Sequence, residues 1–395
     1  MLDEQSNRSC RMSSPAVATT PEVENMLARN AVVAIGVSGG KDSDACAIAT
    51  SEYLDRIGHT GARLLIHADL GSVEWRQSLP KCHALGERLG WEVVVVERKA
   101  GGMMERWQTR WNNNVERYKN LSCAKLILPW STPSMRFCTS ELKSAVIASY
   151  LKKRFKGQEI LNVTGIRREE SAGRRKADVA KADPRLAQRG AQGFTWNPVI
   201  EWKIDEVKAA IARRGLELHE AYTRYGMTRV SCAFCIMSSA ADLKASTTCT
   251  DNQDIYRTMV ELEASSTFAF QSNNWLGDVA PHLLGSELAD RLQAAKRAAQ
   301  LREIAEKKIP LGLEYQKGWP TRLPTMDEAK RLAEVRHTVA GLVGVQAGYL
   351  DPAAILERYD ELLRTRIDAT PAVPVHLAFD SSQANSWGQQ AAFGF

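Results

Sequence analysis

The hexapeptide Ser38-Gly39-Gly40-Lys41-Asp42-Ser43 combines residue types that suit phosphate binding. Adjacent glycines let a backbone approach an anion closely, and a helix that begins here would direct its free N–H groups toward that anion. Lys41 adds a positive charge. The spacing differs from the G-x-x-x-x-G-K-[ST] pattern of the Walker A loop, so it indicates a different nucleotide loop. The alternative interpretation is a glycine-rich strand-to-helix turn that binds nothing.

A second cluster of charged residues follows the apolar run at residues 160–163. It forms a G-x-R-x-x-E-S-x-x-R pattern from Gly165, Arg167, Glu170, Ser171 and Arg174. The planar fork of arginine can hold phosphate or sulfate oxygens with two parallel hydrogen bonds, and it stays charged at any relevant pH. Glu170 could orient these arginines. The alternative interpretation is an ordinary solvated helix start.

Alternating apolar and amphipathic stretches predict the elements that would position both clusters. We expect strands at 32–37, 63–68, 91–96 and 159–164, and helices at about 43–57 and 74–89. This alternation indicates a mostly parallel sheet with helices on both faces. Open sheets of this kind bind ligands at the carboxyl ends of their strands, which is where both clusters lie.

Both motifs resemble those of known proteins. The hexapeptide resembles the PP-loop of ATP pyrophosphatases, and the arginine pattern resembles that of the phosphoadenosine phosphosulfate (PAPS) reductase family. The resemblance runs from about Ala31 to Cys235 and implies an α/β fold with a mostly parallel, doubly wound sheet, similar to the adenine nucleotide alpha hydrolases. It implies ATP and Mg²⁺ as cofactors and catalytic roles for Lys41, Asp42 and Arg167. The nucleotide-binding residues that it implies are Ser38, Gly39, Gly40, Lys41, Asp42, Ser43, Asp69, Gly165, Arg167, Glu170, Ser171 and Arg174.

Asp69 ends the predicted strand Arg63–Asp69 and has two interpretations. In the PAPS reductase family, the acidic residue at this strand end lies near the nucleotide. An aspartate at such a position can equally cap the N-terminus of the helix that follows.

The cysteine pattern predicts a metal site or a redox pair. Cys232 and Cys235 form a C-x-x-C motif, with Cys138 upstream and Cys249 downstream. Two thiolates at this spacing can share one metal or cluster, and spacing alone does not separate a [4Fe–4S] cluster from zinc. The third alternative is a redox pair of Cys232 and Cys235 alone.

The family resemblance favours the cluster. In similar proteins a cysteine ahead of the arginine pattern joins a later C-x-x-C to bind [4Fe–4S], which implies Cys138, Cys232 and Cys235 as ligands. Related adenosine phosphosulfate (APS) reductases have two adjacent cysteines at the first position, whereas this chain has Phe137-Cys138. We therefore expect a fourth ligand from elsewhere, with Cys249 as the first choice and Cys123 as the second.

The chain also departs from true sulfonucleotide reductases. These carry a nucleophilic cysteine on a C-terminal tail, but no cysteine follows Cys249 in this sequence. The resemblance then implies an ATP pyrophosphatase that adenylates an acceptor for sulfur transfer or nucleic-acid modification. The implied reaction scheme is most similar to that of the ATP pyrophosphatase of DNA phosphorothioation systems. Its partners would be a nucleotide, a nucleic-acid acceptor and a sulfur-donor or thiol protein. The alternatives are a PAPS or APS reductase that uses an external thiol, and a nucleotide-sensing subunit of a larger complex.

Composition and patterning complete the predicted organisation. The chain has 395 residues, 44% hydrophobic content and a net charge of +6, which is compatible with a nucleotide or nucleic-acid partner. No apolar run reaches the ~20 residues that span a membrane, and the first residues lack a secretory h-region. We therefore expect a cytoplasmic protein whose cysteines do not form structural disulfides. The predicted divisions are a disordered arm (1–21), a nucleotide-binding domain (22–215) with an insertion (100–135), a C-x-x-C subdomain (216–275), a helical region (276–368) and a flexible tail (369–395).

Two surface features were assigned alternative roles. Trp107, Trp111 and Trp130 in the insertion would suit base stacking if they are exposed, and the alternative interpretation is that they are core residues. Residues 172–195 are basic and rich in glycine and alanine, so we expect a mobile loop over the site.

Overall fold

The computed structural model describes residues 15–272, 274–316 and 318–368. These residues divide into two units, one from segments 15–99 and 137–235 and the other from segments 100–136 and 236–368. Two parts of the predicted division differ: 100–135 was placed within the nucleotide-binding domain but belongs to the second unit, and 216–235 was placed in the C-x-x-C subdomain but belongs to the first. The predicted tail and the first fourteen residues of the predicted arm lie outside the described residues.

The first unit is built on a six-stranded sheet. Its strands are β1 (Val32–Gly36), β2 (Arg63–Asp69), β3 (Glu92–Glu97), β4 (Ile160–Val163), β5 (Ala180–Ala182) and β6 (Gly193–Trp196). They lie in the order β3-β2-β1-β4-β6-β5, and all are parallel to their neighbours except β5, which is antiparallel to β6. The mostly parallel sheet that the sequence predicted is confirmed.

The helices of this unit cover both faces of the sheet. They are α1 (Pro21–Ala28), α2 (Lys41–Arg56), α3 (Ser78–Leu89), a short α5 (Phe137–Thr139), α6 (Ala145–Arg154), α7 (Ile204–Arg213) and α8 (Glu220–Thr223). Successive residues of β1 point to opposite faces, so Val33 and Ile35 pack in the core with α2 and α7, whereas Val32 and Ala34 pack in the core with α6. Apolar burial on both sides explains why the central strand is almost entirely β-branched or small.

Two segments of this unit are more ordered than the sequence indicated. Residues 172–195, expected to be a mobile loop, contribute β5 and β6 to the sheet. The end of the expected arm is also held in place, because the indole N–H groups of Trp196 and Trp202 donate to the carbonyl oxygens of Ala18 (2.8 Å) and Ala16 (3.0 Å). Backbone pairing and indole hydrogen bonds, which composition does not reveal, fix both segments.

The second unit is helical. Its helices are α4 (Met103–Lys119), α9 (Ala240–Thr247), α10 (Gln253–Ser266), α11 (Ser286–Glu306), α12 (Met326–Val343) and α13 (Pro352–Asp368). Trp107, Trp111 and Trp130 have exposed fractions of 3%, 6% and 0%, so they are core residues and offer no stacking surface. Trp107 and Trp130 both pack edge-on against Phe270, with ring centres 6.2 and 5.2 Å apart, and this aromatic packing joins 100–135 to the C-terminal segment.

One buried carboxylate organises a loop of the helical unit. Glu263 on α10 accepts backbone N–H groups from Phe270 (2.8 Å), Leu276 (2.7 Å) and Gly277 (3.0 Å). These contacts satisfy donors that the loop could not pair within itself. None of the helices in the described ranges is long and apolar enough to cross a bilayer.

Candidate nucleotide-binding site

A cavity of about 330 Å³ opens at the carboxyl ends of the central strands β1 and β4. The chain runs outward from β1 through β2 and β3 on one side and continues through β4 and β6 on the other, so this is the point where strand order reverses. Ligands of open α/β sheets bind at such switch points. Seven of the predicted nucleotide-binding residues line the cavity: Ser38, Gly40, Asp42, Ser43, Gly165, Glu170 and Arg174.

The predicted loop 38–43 joins β1 to α2 with its backbone turned toward the cavity. Gly39 has φ +70°, and a Cβ there would lie 2.9 Å from the Ser78 carbonyl oxygen, so only glycine fits without strain. The Ser43 hydroxyl donates to the Gly40 carbonyl (2.8 Å) and closes the turn. Gly40 is the N-cap of α2 and has no side chain to cap the first N–H groups. The helix therefore presents an anion-binding end to the cavity.

Gly165 brings the end of β4 against this loop. A Cβ on Gly165 would lie 2.5 Å from the Asp42 carbonyl oxygen, which is closer than any real side chain can approach. The glycine of the arginine pattern is thus required by packing against the loop, and it aligns the two predicted motifs.

Arg167, which was expected to touch the nucleotide, is buried behind the loop. Its Nε donates to Asp42 Oδ1 (2.7 Å), and its Nη1 donates to Glu169 Oε2 (2.7 Å) and to the Trp202 carbonyl (3.2 Å). Its exposed fraction is 3%, and burial opposes its charge, but Asp42 and Glu169 outweigh that effect and raise the pKa of Arg167. The guanidinium therefore orients Asp42, and its direct contact with a ligand stays a prediction.

The rest of the arginine pattern forms a local hydrogen-bonded unit. Glu170 Oε2 accepts from the backbone N–H of Arg167 (2.9 Å) and pairs with the guanidinium of Arg174. Ser171 is exposed, and its hydroxyl accepts from the backbone N–H of Arg174 (3.2 Å). The pattern thus places Arg174 at the cavity wall, with Glu170 orienting it as expected from its position.

Two predicted binding residues point elsewhere. Lys41 Nζ donates to the Thr228 carbonyl (3.2 Å), lies 3.5 Å from Asp42 Oδ2, and stands 4.7 Å above the Tyr222 ring. Asp69 Oδ1 accepts from the backbone N–H of Gly71 (2.7 Å) in the turn after β2. That contact favours a local capping role for Asp69, which does not line the cavity described here.

Residues 32–238 match the protein family described as the phosphoadenosine phosphosulfate reductase domain. The matched segment is slightly more than half of the chain and contains the whole six-stranded sheet. The chain belongs to this family. The family is one of enzymes, and its match confirms the resemblance on which the site residues were assigned.

Solved structures and curated proteins add little to the PAPS reductase family assignment. The chain is similar to a crystal structure of phosphoadenylyl-sulfate (PAPS) reductase from Candida auris, described as a phosphate complex. The sequence identity is 12%, the TM-score is 0.33, and the alignment covers 55% of this chain and 98% of that chain. No curated protein matches the sequence.

Sequence reasoning missed an ion pair in the wall of this PAPS reductase family site. His67, at the end of β2, is 1% exposed; its Nδ1 faces the Val37 carbonyl (3.0 Å) and its Nε2 faces Glu74 Oε2 (2.9 Å). Burial opposes the imidazolium, but hydrogen bonds with Cys82 and Glu74 outweigh it and raise the pKa of His67 to about 10. Because both ring nitrogens face acceptors, the doubly protonated form satisfies both. The only indication of this ion pair in the sequence was His67 itself, a histidine near the end of the mostly apolar strand β2.

The cavity also has cations and a phenol that the motifs did not predict. Lys143, Arg229 and Tyr222 all line it. Lys143 lies in a π-helical turn, Ser140–Ser144, a feature that often marks functional positions. The sequence signal for Lys143 was its place five residues after Cys138, whereas Arg229 and Tyr222 lie in a segment without a recognisable motif.

Three of the four predicted metal ligands lie near one another in this unit. Cys138, Cys232 and Cys235 are all partly exposed. Burial and the nearby Cys235, Glu74 and Cys138 raise the pKa of Cys232, while Lys143 acts against them. The C-x-x-C is docked beside the cavity by an antiparallel bridge between Glu74 and Cys232.

The fourth ligand and the bound group are not assigned by this geometry. Cys249 and Cys123 are buried and lie in the helical unit. Within residues 15–272, 274–316 and 318–368, no three His, Cys, Asp or Glu side chains are arranged to hold a metal ion. The thiol chemistry of Cys138, Cys232 and Cys235 suits an iron–sulfur cluster or zinc, and the full ligand set stays a prediction.

Proposed function

We propose that this protein binds ATP with Mg²⁺ in the cavity at β1 and β4 and cleaves it at the α-phosphate, releasing pyrophosphate and adenylating an acceptor. The observation that carries the proposal is the 38–43 loop, which turns the end of α2 that has no side-chain cap toward a cavity at the switch point of the sheet. Backbone N–H groups at such an end favour a polyphosphate over a neutral ligand.

The charges of the cavity wall support a polyanionic ligand. Glu74 and Glu170 are each paired, with His67 and Arg174 respectively. Lys143 and Arg229 add positive charge to the same wall. The wall therefore offers cations to phosphate oxygens while its carboxylates are already neutralised.

In the proposed reaction, the acceptor attacks the α-phosphorus and the bond to the bridging oxygen of the β-phosphate breaks. Backbone N–H groups of the loop would hold the pyrophosphate portion in place, and Arg174 would stabilise charge on the phosphoryl oxygens. Mg²⁺, when bound, supplies charge neutralisation on the leaving pyrophosphate. Asp42 is the acidic residue of the loop suited to hold it, since its carboxylate is oriented by Arg167 at 2.7 Å.

The experiment is product analysis after incubation with ATP, Mg²⁺ and candidate acceptors. Pyrophosphate with AMP or an adenylate is expected, and Asp42→Ala should abolish its formation. Lys208→Ala is the matched control, because Lys208 is an exposed residue on α7 that does not line the cavity. Release of ADP and orthophosphate by the unaltered protein would contradict the proposed site of cleavage.

We further propose that Cys138, Cys232 and Cys235 hold a [4Fe–4S] cluster, with Cys249 or Cys123 as the fourth ligand, and that zinc is the alternative. A cluster would supply sulfur-handling or redox chemistry for the adenylated acceptor. Anaerobically purified protein should absorb broadly near ~400 nm, as thiolate-ligated clusters do. Serine at any of the three positions should bleach this absorbance, while serine at Cys46, a fully buried core residue, should not. Colourless protein with one equivalent of zinc would contradict the iron assignment.

A nucleic-acid acceptor is supported by the charge of the segment that follows the arginine pattern. Arg175, Lys176, Lys181, Arg185 and Arg189 are all exposed in 172–195. Exposed basic side chains bind a phosphate backbone through contacts that weaken as salt rises. Binding of a labelled oligonucleotide that is independent of salt would contradict this part of the proposal.

The second candidate is a PAPS or APS reductase that takes its thiol from another protein. The family match and the position of Lys143 near both the cavity and Cys232 favour it. It predicts sulfite release from PAPS or APS with a thioredoxin-type reductant. Sulfite formation at a catalytic rate, without pyrophosphate release from ATP, would decide for this candidate.

A further inference from the structure

The hydroxyl of Tyr222 lies at the first turn of α2, beside the loop 38–43. It accepts a hydrogen bond from the backbone N–H of Val230 (3.1 Å), and the backbone N–H of Lys41 is close enough to lower the pKa of the phenol. A Cβ built on Gly40 would lie 3.6 Å from the same oxygen. Burial raises the pKa of Tyr222, so the group at this position is a neutral phenol. Its oxygen therefore lies beside the N-terminus of α2, where the loop would otherwise meet a phosphate.

The same segment of chain engages the side chain of Lys41. The ammonium donates to the Thr228 carbonyl (3.2 Å) and lies over the ring of Tyr222 at 4.7 Å, a distance typical of a cation–π contact. The Lys41 side chain is only 11% exposed. The segment from Tyr222 to Val230, hereafter the 222–230 segment, thus lies against both the backbone and the side chain of Lys41.

We propose that Tyr222 is a built-in competitor for the phosphate donors of the loop, so that a phosphate group must displace its hydroxyl to bind the N-terminus of α2. The proposal rests on the proposed function, because it assumes that this loop binds phosphate. A hydrogen bond to a charged phosphate oxygen is roughly twice as strong as one to a neutral oxygen. Phosphate therefore displaces the hydroxyl, but it binds less tightly than it would to a loop without this competitor. Tyr222 then sets the affinity of the site, and Thr228 holds Lys41 until the exchange occurs.

Displacement of Tyr222 has two structural consequences. Val230 loses the acceptor of its N–H group, which loosens the 222–230 segment. Arg229, which lies between Thr228 and Val230 and lines the cavity, is carried by the same segment and is free to follow the ligand. The segment leads directly to Cys232, so binding of phosphate is linked to the chain that carries the C-x-x-C motif.

The test compares the affinities of unaltered protein and Tyr222→Phe for magnesium pyrophosphate and MgATP by titration calorimetry. Phenylalanine keeps the ring over Lys41 and removes only the competing oxygen. We expect binding to become about 3- to 10-fold tighter, the effect of deleting one competing neutral hydrogen bond. Tyr225→Phe is the matched control, since Tyr225 lies in the same segment but packs on Trp75 at 5.5 Å and does not line the cavity.

Three outcomes are distinguishable. Tighter binding in Tyr222→Phe alone supports the proposal. Equal or weaker binding in Tyr222→Phe overturns it and leaves the proposed function standing. Absence of binding in every protein, including the unaltered one, overturns the proposed function as well.

A second measurement needs no substitution and covers the case in which Tyr222→Phe does not fold. Amide hydrogen exchange of the unaltered protein is followed in peptides that cover residues 222–230. Magnesium pyrophosphate should speed exchange there, because Val230 loses its acceptor. Slower or unchanged exchange, with binding verified by calorimetry, would overturn the proposal.

Discussion

Replacement of Arg167 by methionine tests whether this residue acts through the loop or on the ligand. Its guanidinium is enclosed by Asp42, Glu169 and the Trp202 carbonyl at distances of 2.7, 2.7 and 3.2 Å. Methionine has a similar length and no charge, so it fills the space but leaves these acceptors without their donor. The structure therefore predicts a loss of stability that a purely ligand-binding residue would not show.

The size of this loss follows from burial. Removal of one partner from a fully buried ion pair costs ~3–5 kcal/mol, because the other charge is left unpaired. The Arg167 side chain is 4% exposed, but the carboxylate of Asp42 is 21% exposed and keeps part of its hydration. We therefore expect the free energy of unfolding to fall by about 2–4 kcal/mol in Arg167→Met, and by less in Arg167→Lys, which keeps the charge without the fork.

The assay is urea unfolding followed by circular dichroism, with Arg154→Met as the matched control. Arg154 also pairs with a glutamate, Glu92, but both side chains are well exposed (37% and 52%). Exposed pairs contribute about 0–1 kcal/mol, so this control should stay close to the unaltered protein. Suppose that Arg167→Met loses ATP binding while its unfolding free energy stays within ~0.5 kcal/mol of the unaltered protein. This result would refute the argument and indicate that Arg167 contacts the ligand directly.

Three further predictions concern packing and pH. Gly165→Ala should reduce pyrophosphate release by at least about tenfold, because the new Cβ would lie 2.5 Å from the Asp42 carbonyl oxygen. Gly341→Ala is the control and should not reduce it, because no atom lies within 4 Å of a Cβ at that position. Equal activities of the two variants would contradict this prediction. Because the pKa of His67 is raised in the folded state, its stabilising effect should be complete below pH 6.5 and disappear as the pH rises through about 10. The difference in unfolding free energy between the unaltered protein and His67→Gln should therefore narrow over that range. A constant difference would count against the ion pair. Glu263→Gln should lower the free energy of unfolding by about 2–4 kcal/mol, since one amide oxygen replaces the carboxylate that accepts three N–H groups. An unchanged melting temperature would show that the loop does not need the charge.

The sequence was sufficient for β1 to β4 because their short apolar runs and the amphipathic helices that alternate with them are local patterns. It was insufficient for β5 and β6. Ala180–Ala182 is short and lacks strand-forming residues. Gly193–Trp196 contains Phe, Thr and Trp but has only four residues, and it is held by pairing with β4. Such long-range pairing is not encoded in local composition.

Helix α4 was missed for a different reason. Its polar, asparagine-rich sequence has low helix propensity, which hid the spacing of Met103, Trp107, Trp111 and Tyr118. Together with the buried Asn114, these residues recur every three to four positions and form the buried face of the helix. The periodicity was therefore present, and greater weight on it would have predicted the element.

The site shows the same limit at the level of single side chains. Ser38, Gly40, Asp42 and Ser43 line the cavity because a strand-to-helix turn constrains the backbone. Arg167 was assigned by its charge, but its direction depends on Asp42, 125 positions away, which local sequence does not reveal. His67 and Glu74 pair across a turn of seven residues, and neither belongs to a motif.

The turn after β2 links the cavity to the cysteines. Its residue Glu74 lines the cavity with its side chain and bridges Cys232 with its backbone, next to the hydrogen bond from Ala233 N–H to the Val73 carbonyl (2.8 Å). Burial and the nearby Cys235 and Glu74 raise the pKa of Cys232, and a polyphosphate in the cavity would add to that effect. A thiol in these surroundings is a poor free nucleophile, whereas a metal ion deprotonates its ligands outright. We therefore expect Cys232, as a protonated thiol, to be a poor attacking group in a reductase reaction.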